Sequence, residues 1–301
     1  MSQFWVFQNK ESAIKGSSQP PLITKEIDGC FNLTNTYRQD SDIIRHFGDA
    51  ESAVRARFDD STGELLKDDE SYLSDLMNSK FPSGTGANTA WFVSNCNHTA
   101  SAVRRFDFGQ SLIDAGLQLY AEGSCFGHRT VKAFGKKTIG LSGEYPTAKL
   151  KFYLSFENAY HCNDYISEKF WRNAIGQKQV PIVFGPHIND VLAVAPPNSF
   201  IHAEEFDTPQ ELVEYISYLD GNDTAYLEYH QWRTLYPPGR HRSVDTLQHM
   251  GTGERSLCEL CRLIRDKRAT NEKQFYKSVI NLTRRNPKVI MNYILPQGLN
   301  V

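Results

Sequence analysis

No window of this sequence holds the roughly 18 or more apolar residues that a membrane-crossing helix needs. The opening "MSQFWVFQNKE" also lacks the basic, apolar and small-residue order of a signal peptide. The expectation from these two absences is a soluble chain. There is no excess of positive charge either: 33 Lys and Arg stand against 35 Asp and Glu, a formal net charge of -2. No domain-wide field is available to neutralise a phosphate backbone, so bulk nucleic-acid binding is excluded and any anionic partner must be held locally. Internal repeats and low-complexity tracts are absent, which excludes a solenoid or a disordered linker array.

What is present is an ordinary globular composition, 40% hydrophobic and 23% charged over 301 residues, long enough for two domains. Four glycosylation sequons begin at Asn32, Asn97, Asn222 and Asn281, and together with six cysteines they point to a secretory compartment. Cys258 and Cys261 form a CxxC that can be read as a redox pair, half a zinc site or two disulfide anchors. With no second CxxC the zinc reading is poor, and "RSLCELCRLIRDKR" reads as helical and basic rather than as a strand-to-helix redox turn. Disulfide anchors in an oxidising compartment are the preferred reading.

Residues 1–48 mix short apolar runs with turn residues and read as strands and loops. Residues 49–90 are acidic and read as a linker carrying one or two short helices, closed by a Gly/Ser/Thr cluster. From residue 90, strands alternate with helices: "AWFVSN", a helix over 102–119, "KFYLSF", a helix "YISEKFWRNAI", "VPIVFG" and "SFIHAEEF". In "DTPQELVEYISYLD", Thr208 and Glu211 have capping-box spacing and Pro209 takes the first helical position. Such alternation predicts an α/β fold with a parallel sheet covered by helices. The basic stretch 262–285 reads as a solvated helix.

The segment 151–174, "KFYLSFENAYHCNDYISEKFWRNA", places a polar run where a buried strand meets a helix, the position at which doubly wound sheets bind anions. Asp164 is the predicted N-cap, with Tyr165, Glu168, Lys169 and Arg172 on one face of the helix that follows. The chemistry suits a nucleotide diphosphate: Lys169 as a point charge for phosphate, Glu168 as an acceptor for sugar hydroxyls, Tyr165 as a wall with a polar tip. An exposed helix face carrying a Glu/Lys pair is the plainer alternative.

This segment closely resembles the signature of the α1,3-fucosyltransferases, glycosyltransferase family 10, which reads approximately FYLxFENS and then DYxTEKxWxNA. Further matches are "FNLTNTYRQDSDI", "VSNC", "VPIVFGP", "APPNSFIH" and "LDGNDTAYLEYHQWR", so that the resemblance runs from about Glu11 to Cys261. It implies a GT-B architecture of two Rossmann-like domains. In that frame residues 1–89 are a partial acceptor-side domain with a linker, 90–261 a GDP-fucose-binding domain and 262–301 a basic extension. It implies inverting transfer of fucose from GDP-fucose to a GlcNAc hydroxyl of an N-glycan or lactosamine-type acceptor, with no metal and no cofactor besides the donor. Donor-binding positions carry over onto Arg105, Asn158, Tyr165, Glu168 and Lys169, and the general base onto Glu11 through "NKES". The bottom-up chemistry agrees: departing GDP needs cations, and a sugar hydroxyl needs a carboxylate to take its proton.

The resemblance also sets aside Asp40-Ser41-Asp42 as a metal site, because the family's "YRxDSDI" is not one. It suggests a Cys96–Cys125 disulfide, in the manner of core-type or invertebrate relatives, and leaves Cys258 and Cys261 with Cys30 as the only partner in view. It implies a Golgi-luminal type II membrane protein, and hence a truncated N-terminal domain without its anchor. A donor-binding but inactive fragment is the alternative. Three positions depart from the family pattern, Ala159, Ser167 and Val191.

Overall fold

The computed structural model describes residues 4–12, 30–59, 61–126, 132–134, 147–235 and 252–270. Two sheets organise them. The smaller has three parallel strands in the order β1 (Val6–Asn9), β2 (Leu33–Thr36), β3 (Ile43–Ile44). The larger holds β4 (Thr89–Phe92), β5 (Leu119–Glu122), β6 (Lys132–Phe134), β7 (Phe152–Phe156), β8 (Val180–Phe184) and β9 (Ile201–His202). Its order is β6-β5-β4-β7-β8-β9, parallel except for β6. The helices are α1 (Ala50–Val54), α2 (Asp69–Asn78), α3 (Ala100–Asp114), α4 (Ile188–Leu192), α5 (Pro209–Gly221), α6 (Asp223–Glu228) and α7 (Thr252–Ala269). A small parallel sheet and a larger, mostly parallel sheet whose strands alternate with helices are the α/β class expected.

Every residue of β7, "FYLSF", and of β8, "VPIVF", is buried, as a parallel sheet covered on both faces requires. Pro181 fits a central strand because of where its missing N–H falls. The amide of Val180 donates to Lys151 on the β7 side, so Pro181 faces β9, whose pairing starts only at Ile182. On one face the core centres on Trp91, ringed by Phe106, Phe126 and Phe156.

The helix expected over 102–119 ends earlier, at Asp114, and β5 begins at Leu119. Gly116, at φ +99°, supplies the left-handed turn that stops it, a C-terminal signal visible in "DAGLQL". Thr208 caps α5 by accepting from the amide of Glu211, while the Glu211 carboxylate accepts from Asp207 rather than from Thr208. At the opposite edge of the sheet the buried ammonium of Lys80 donates to the carbonyls of Ala148, Leu150 and Gln177 at 2.7, 3.1 and 3.2 Å. It ties together the loops that precede β4, β7 and β8. Lys80→Met strands these acceptors and is expected to lower stability by about 2–4 kcal/mol in urea unfolding.

Candidate functional site

The large sheet reverses its winding between β4 and β7, and a crevice opens at such a switch point beyond the strand C-termini. Arg105 is fastened there. Thr99 caps α3 by accepting from Ala102 at 3.0 Å, and Arg105, buried on the face turned to the sheet, sends its guanidinium to both sides of the gap. One terminal nitrogen donates to Phe156 O at 3.0 Å, the other to Asn95 O at 2.7 Å. Burial lowers its pKa, and the charges of Glu157, Tyr165 and Glu168 act against that lowering. Its Nε is buried without a hydrogen-bond partner among the described residues, as is Oδ1 of Asn158 next to β7.

The centre of the site is an ion pair at the end of β7. Glu157 is 2% exposed. One carboxylate oxygen accepts from the amide of Ser167 and the other from the ammonium of Lys169, both at 2.8 Å. The ammonium also donates to Ser167 Oγ at 2.8 Å and to Glu168 Oε1 at 3.3 Å. Burial pushes the pKa of Lys169 down, but Glu157 and Glu168 outweigh it and the net shift is upward. Burial pushes Glu168 up, and Lys169 with local hydrogen bonds brings it below the usual carboxylate range. Sequence reading placed Glu157 in the polar run without a task; the structure makes it the carboxylate that holds Lys169.

The connection from β7 is not the capped helix expected. Asp164 has φ +59° and caps nothing; residues 165–167 are non-helical, and Lys169–Ala174 form a short π-helical stretch. Tyr165 therefore does not share a helix face with Glu168 and Lys169: it is buried and precedes the helical stretch, while Arg172, within that stretch, is exposed. The left-handed backbone of Asp164 is not the extended conformation of an N-cap, and the Ser167 amide that such a cap would receive donates to Glu157 instead. His161 also lies in the left-handed region, at φ 47°, and together the two residues store on the order of 2 kcal/mol or more of backbone strain. Packing maintains it. His161 N–H donates to Gly185 O, Asp164 N–H to Asp190 at 3.2 Å, and Tyr160 N–H to Ser101 at 3.2 Å. Gly185, at φ +115°, is required, since a side chain would press on Ala159 O and on Glu157.

The small sheet meets this segment directly. The backbone amide of Gln39 donates to Asp164 at 3.0 Å, and Tyr37 Oη lies 3.4 Å from Cys162 Sγ. The Tyr165 ring packs edge-on against Tyr37 and Phe47, at centroid distances of 5.0 and 6.0 Å. Gly48 lies so close to Trp171 that a Cβ there would sit 2.5 Å from the Trp171 Cβ. Tyr165 Oη donates to Glu11 Oε2 at 3.4 Å, which brings the carboxylate named in "NKES" to the cleft. An Asn9–Glu11 turn holds it, with each backbone group bonded to the Asn9 side chain at 2.9 and 3.0 Å. Burial raises the Tyr165 pKa, with Glu157, Glu11 and Glu168 adding to the rise, so the hydroxyl stays a donor.

The remaining candidates lie apart. Asp40 is paired with Arg38, and Asp42 accepts from the amide and the hydroxyl of Thr34, so both carboxylates serve the small sheet. Cys96 and Cys125 form a disulfide that ties the loop after β4 to the turn after β5. Cys258 and Cys261 are both on α7, which returns to the small sheet beside β3. Asn32 is buried and accepts from the Trp5 amide, Asn97 is exposed, Asn222 caps α6, and Asn281 lies outside the described residues.

The model of the family "Glycosyltransferase family 10 (fucosyltransferase) C-term" matches residues 83–282, and that of "Fucosyltransferase, N-terminal" matches residues 1–48. Among curated proteins, the 4-galactosyl-N-acetylglucosaminide 3-alpha-L-fucosyltransferase FUT6 of Pongo pygmaeus is 33% identical over 217 residues, 71% of this chain and 51% of the relative. The 3-galactosyl-N-acetylglucosaminide 4-alpha-L-fucosyltransferase FUT3 of Bos taurus is 33% identical over 78% of this chain and 54% of its own length. The chain thus spans about half the length of the curated relatives it matches. A crystal structure of an alpha1,3-fucosyltransferase with GDP-fucose aligns with a TM-score of 0.49 at 18% identity, covering 85% of this chain and 73% of that one.

Proposed function

The chain belongs to glycosyltransferase family 10, the fucosyltransferases, and from that premise we propose that the complete protein transfers L-fucose from GDP-fucose to a GlcNAc hydroxyl of an N-glycan or lactosamine-type glycan, in α1,3 linkage with inversion. The observation that carries this reading is the pairing of Lys169 with buried Glu157 at the C-terminal end of β7, beside Arg105 at the switch point. In this reading Lys169 and Arg105 meet the diphosphate. Their fixed positive charge stabilises the negative charge that grows on GDP as the bond to fucose breaks, which is the contribution a metal makes elsewhere. Asn158 offers its unpartnered amide oxygen to the donor, and Glu168 accepts from sugar hydroxyls.

Glu11 is the base. It approaches from the small sheet, takes the proton of the attacking acceptor hydroxyl, and is oriented by Tyr165 and by the Asn9 turn. Attack from that side, with GDP leaving toward Lys169, inverts the anomeric centre. The Cys96–Cys125 disulfide and the exposed sequon at Asn97 suit an oxidising lumen, and we assign the full protein to the Golgi lumen. No described helix is long and apolar enough to cross a membrane.

The test is transfer of labelled fucose from GDP-fucose to N-acetyllactosamine and to a core N-glycan. Product with either acceptor supports the reading. Saturable GDP-fucose binding with no product on either would overturn it in favour of a donor-binding, inactive chain.

A further inference from the structure

β1 and β3 flank β2 in a parallel sheet, so their C-terminal ends emerge on one edge. The register is level: Asn9 pairs with Thr36, and Thr36 with Ile44. The next residue of each outer strand is a cation, Lys10 after β1 and Arg45 after β3. Both therefore leave the edge that carries Glu11, which is where parallel sheets receive ligands. The Lys10 ammonium stands 4.5 Å over the Phe47 ring, and Phe47 packs on Tyr165, whose hydroxyl reaches Glu11. The cations thus border the same cleft as the candidate base.

Neither has a carboxylate within ion-pair distance among the described residues, and Arg45 Nε is buried without a hydrogen-bond partner there. Arg38 of the same sheet shows the contrast, its guanidinium held by both oxygens of Asp40 at 2.7 and 2.6 Å. Burial and the charge of Arg45 both weaken proton binding by Lys10, and Glu168 opposes this only in part. Two like charges, partly withdrawn from water, repel when the cleft is empty and are relieved by an anion.

We propose that Lys10 and Arg45 form an anion subsite on the base-bearing side of the cleft, taking a phosphate, sulfate or carboxylate group of a bound ligand. The naming of its two sources rests on the proposed fucosyl transfer: the diphosphate of the donor, or an acidic substituent on the acceptor glycan.

Lys10→Met and Arg45→Met keep the apolar stems and remove the charges. The test measures GDP affinity by calorimetry, and kcat/KM on sulfated against neutral N-acetyllactosamine, for the single and double variants. A GDP affinity about tenfold weaker in the double variant, independent of acceptor, assigns the subsite to the donor. Unchanged GDP affinity with an about tenfold fall in the sulfated-to-neutral ratio assigns it to the acceptor. Restoration by Arg45→Lys shows that charge is what counts. GDP affinity and acceptor ratio both within twofold of wild type overturn the subsite. Where the wild-type protein turns over neither lactosamine, calorimetry with GDP and with sulfated lactosamine still decides the subsite, and the transferase reading fails only when a core N-glycan also gives no product.

Discussion

Glu157→Gln is expected to lower kcat by on the order of 100-fold, to raise the KM for GDP-fucose, and to destabilise the protein by about 3–5 kcal/mol. The size follows from burial. Glu157 is 2% exposed and its partner Lys169 is mostly buried, so the amide leaves a desolvated ammonium with only the partly exposed Glu168 for balance. The variant also weakens the hydrogen bond from the Ser167 amide.

The pH dependence has a definite sign. Lys169 has a raised pKa, so its pairing stabilises the fold below the ordinary lysine value and the contribution is lost only as pH rises through the higher, folded value. At pH 7 it is fully present. Without Glu157 the lowering by burial dominates, so GDP-fucose affinity should fall away at a lower alkaline pH than in the wild-type protein. A double replacement, Glu157→Gln with Lys169→Met, should regain part of the stability and none of the activity. The pair's assignment would be lost if Glu157→Gln left both the urea midpoint and the KM-against-pH profile unmoved.

The second large effect is at the base. Glu11→Gln should reduce kcat by about 1,000-fold or more while GDP affinity stays near wild type, because general-base loss acts on the acceptor step and not on the diphosphate. Glu11 is exposed, and its contacts are a local turn with Asn9 and one 3.4 Å bond from Tyr165, so the fold does not depend on it. Equal urea midpoints for variant and wild type separate a chemical loss from a structural one. A kcat within tenfold of wild type would remove Glu11 from the reaction and leave the cleft without its proton acceptor.

Much of the architecture was legible because it rests on local rules. The continuous apolar runs "FYLSF" and "VPIVF" declare doubly covered parallel strands, and Thr208 with Pro209 announces the start of α5. β5 was hidden because Leu117 and Leu119 continue the apolar spacing of α3, although Gly116 marks the stop. The site was legible as a set of side chains, and its helix was expected to start too early, at Asp164. Helical spacing from Asp164 onward suggested one face, whereas burial of Tyr165 against Tyr37 and Phe47 sets its position.

The sequence by itself determined which chemical groups are available: Glu157, Asn158, Glu168 and Lys169 gathered in one strand-to-helix junction, with Arg105 upstream of it and Glu11 near the chain start. Residue type and short-range spacing suffice for that, and they also carry the family signature. Only the tertiary structure decided which of these groups meet. The Glu157–Lys169 pair, the two carbonyls that hold Arg105 across the switch point, the bond from Tyr165 to Glu11 and the stacking of Lys10 over Phe47 are contacts between groups separated along the chain or turned by its path. Burial and charge balance select such contacts, and neither is defined until the chain has closed on itself.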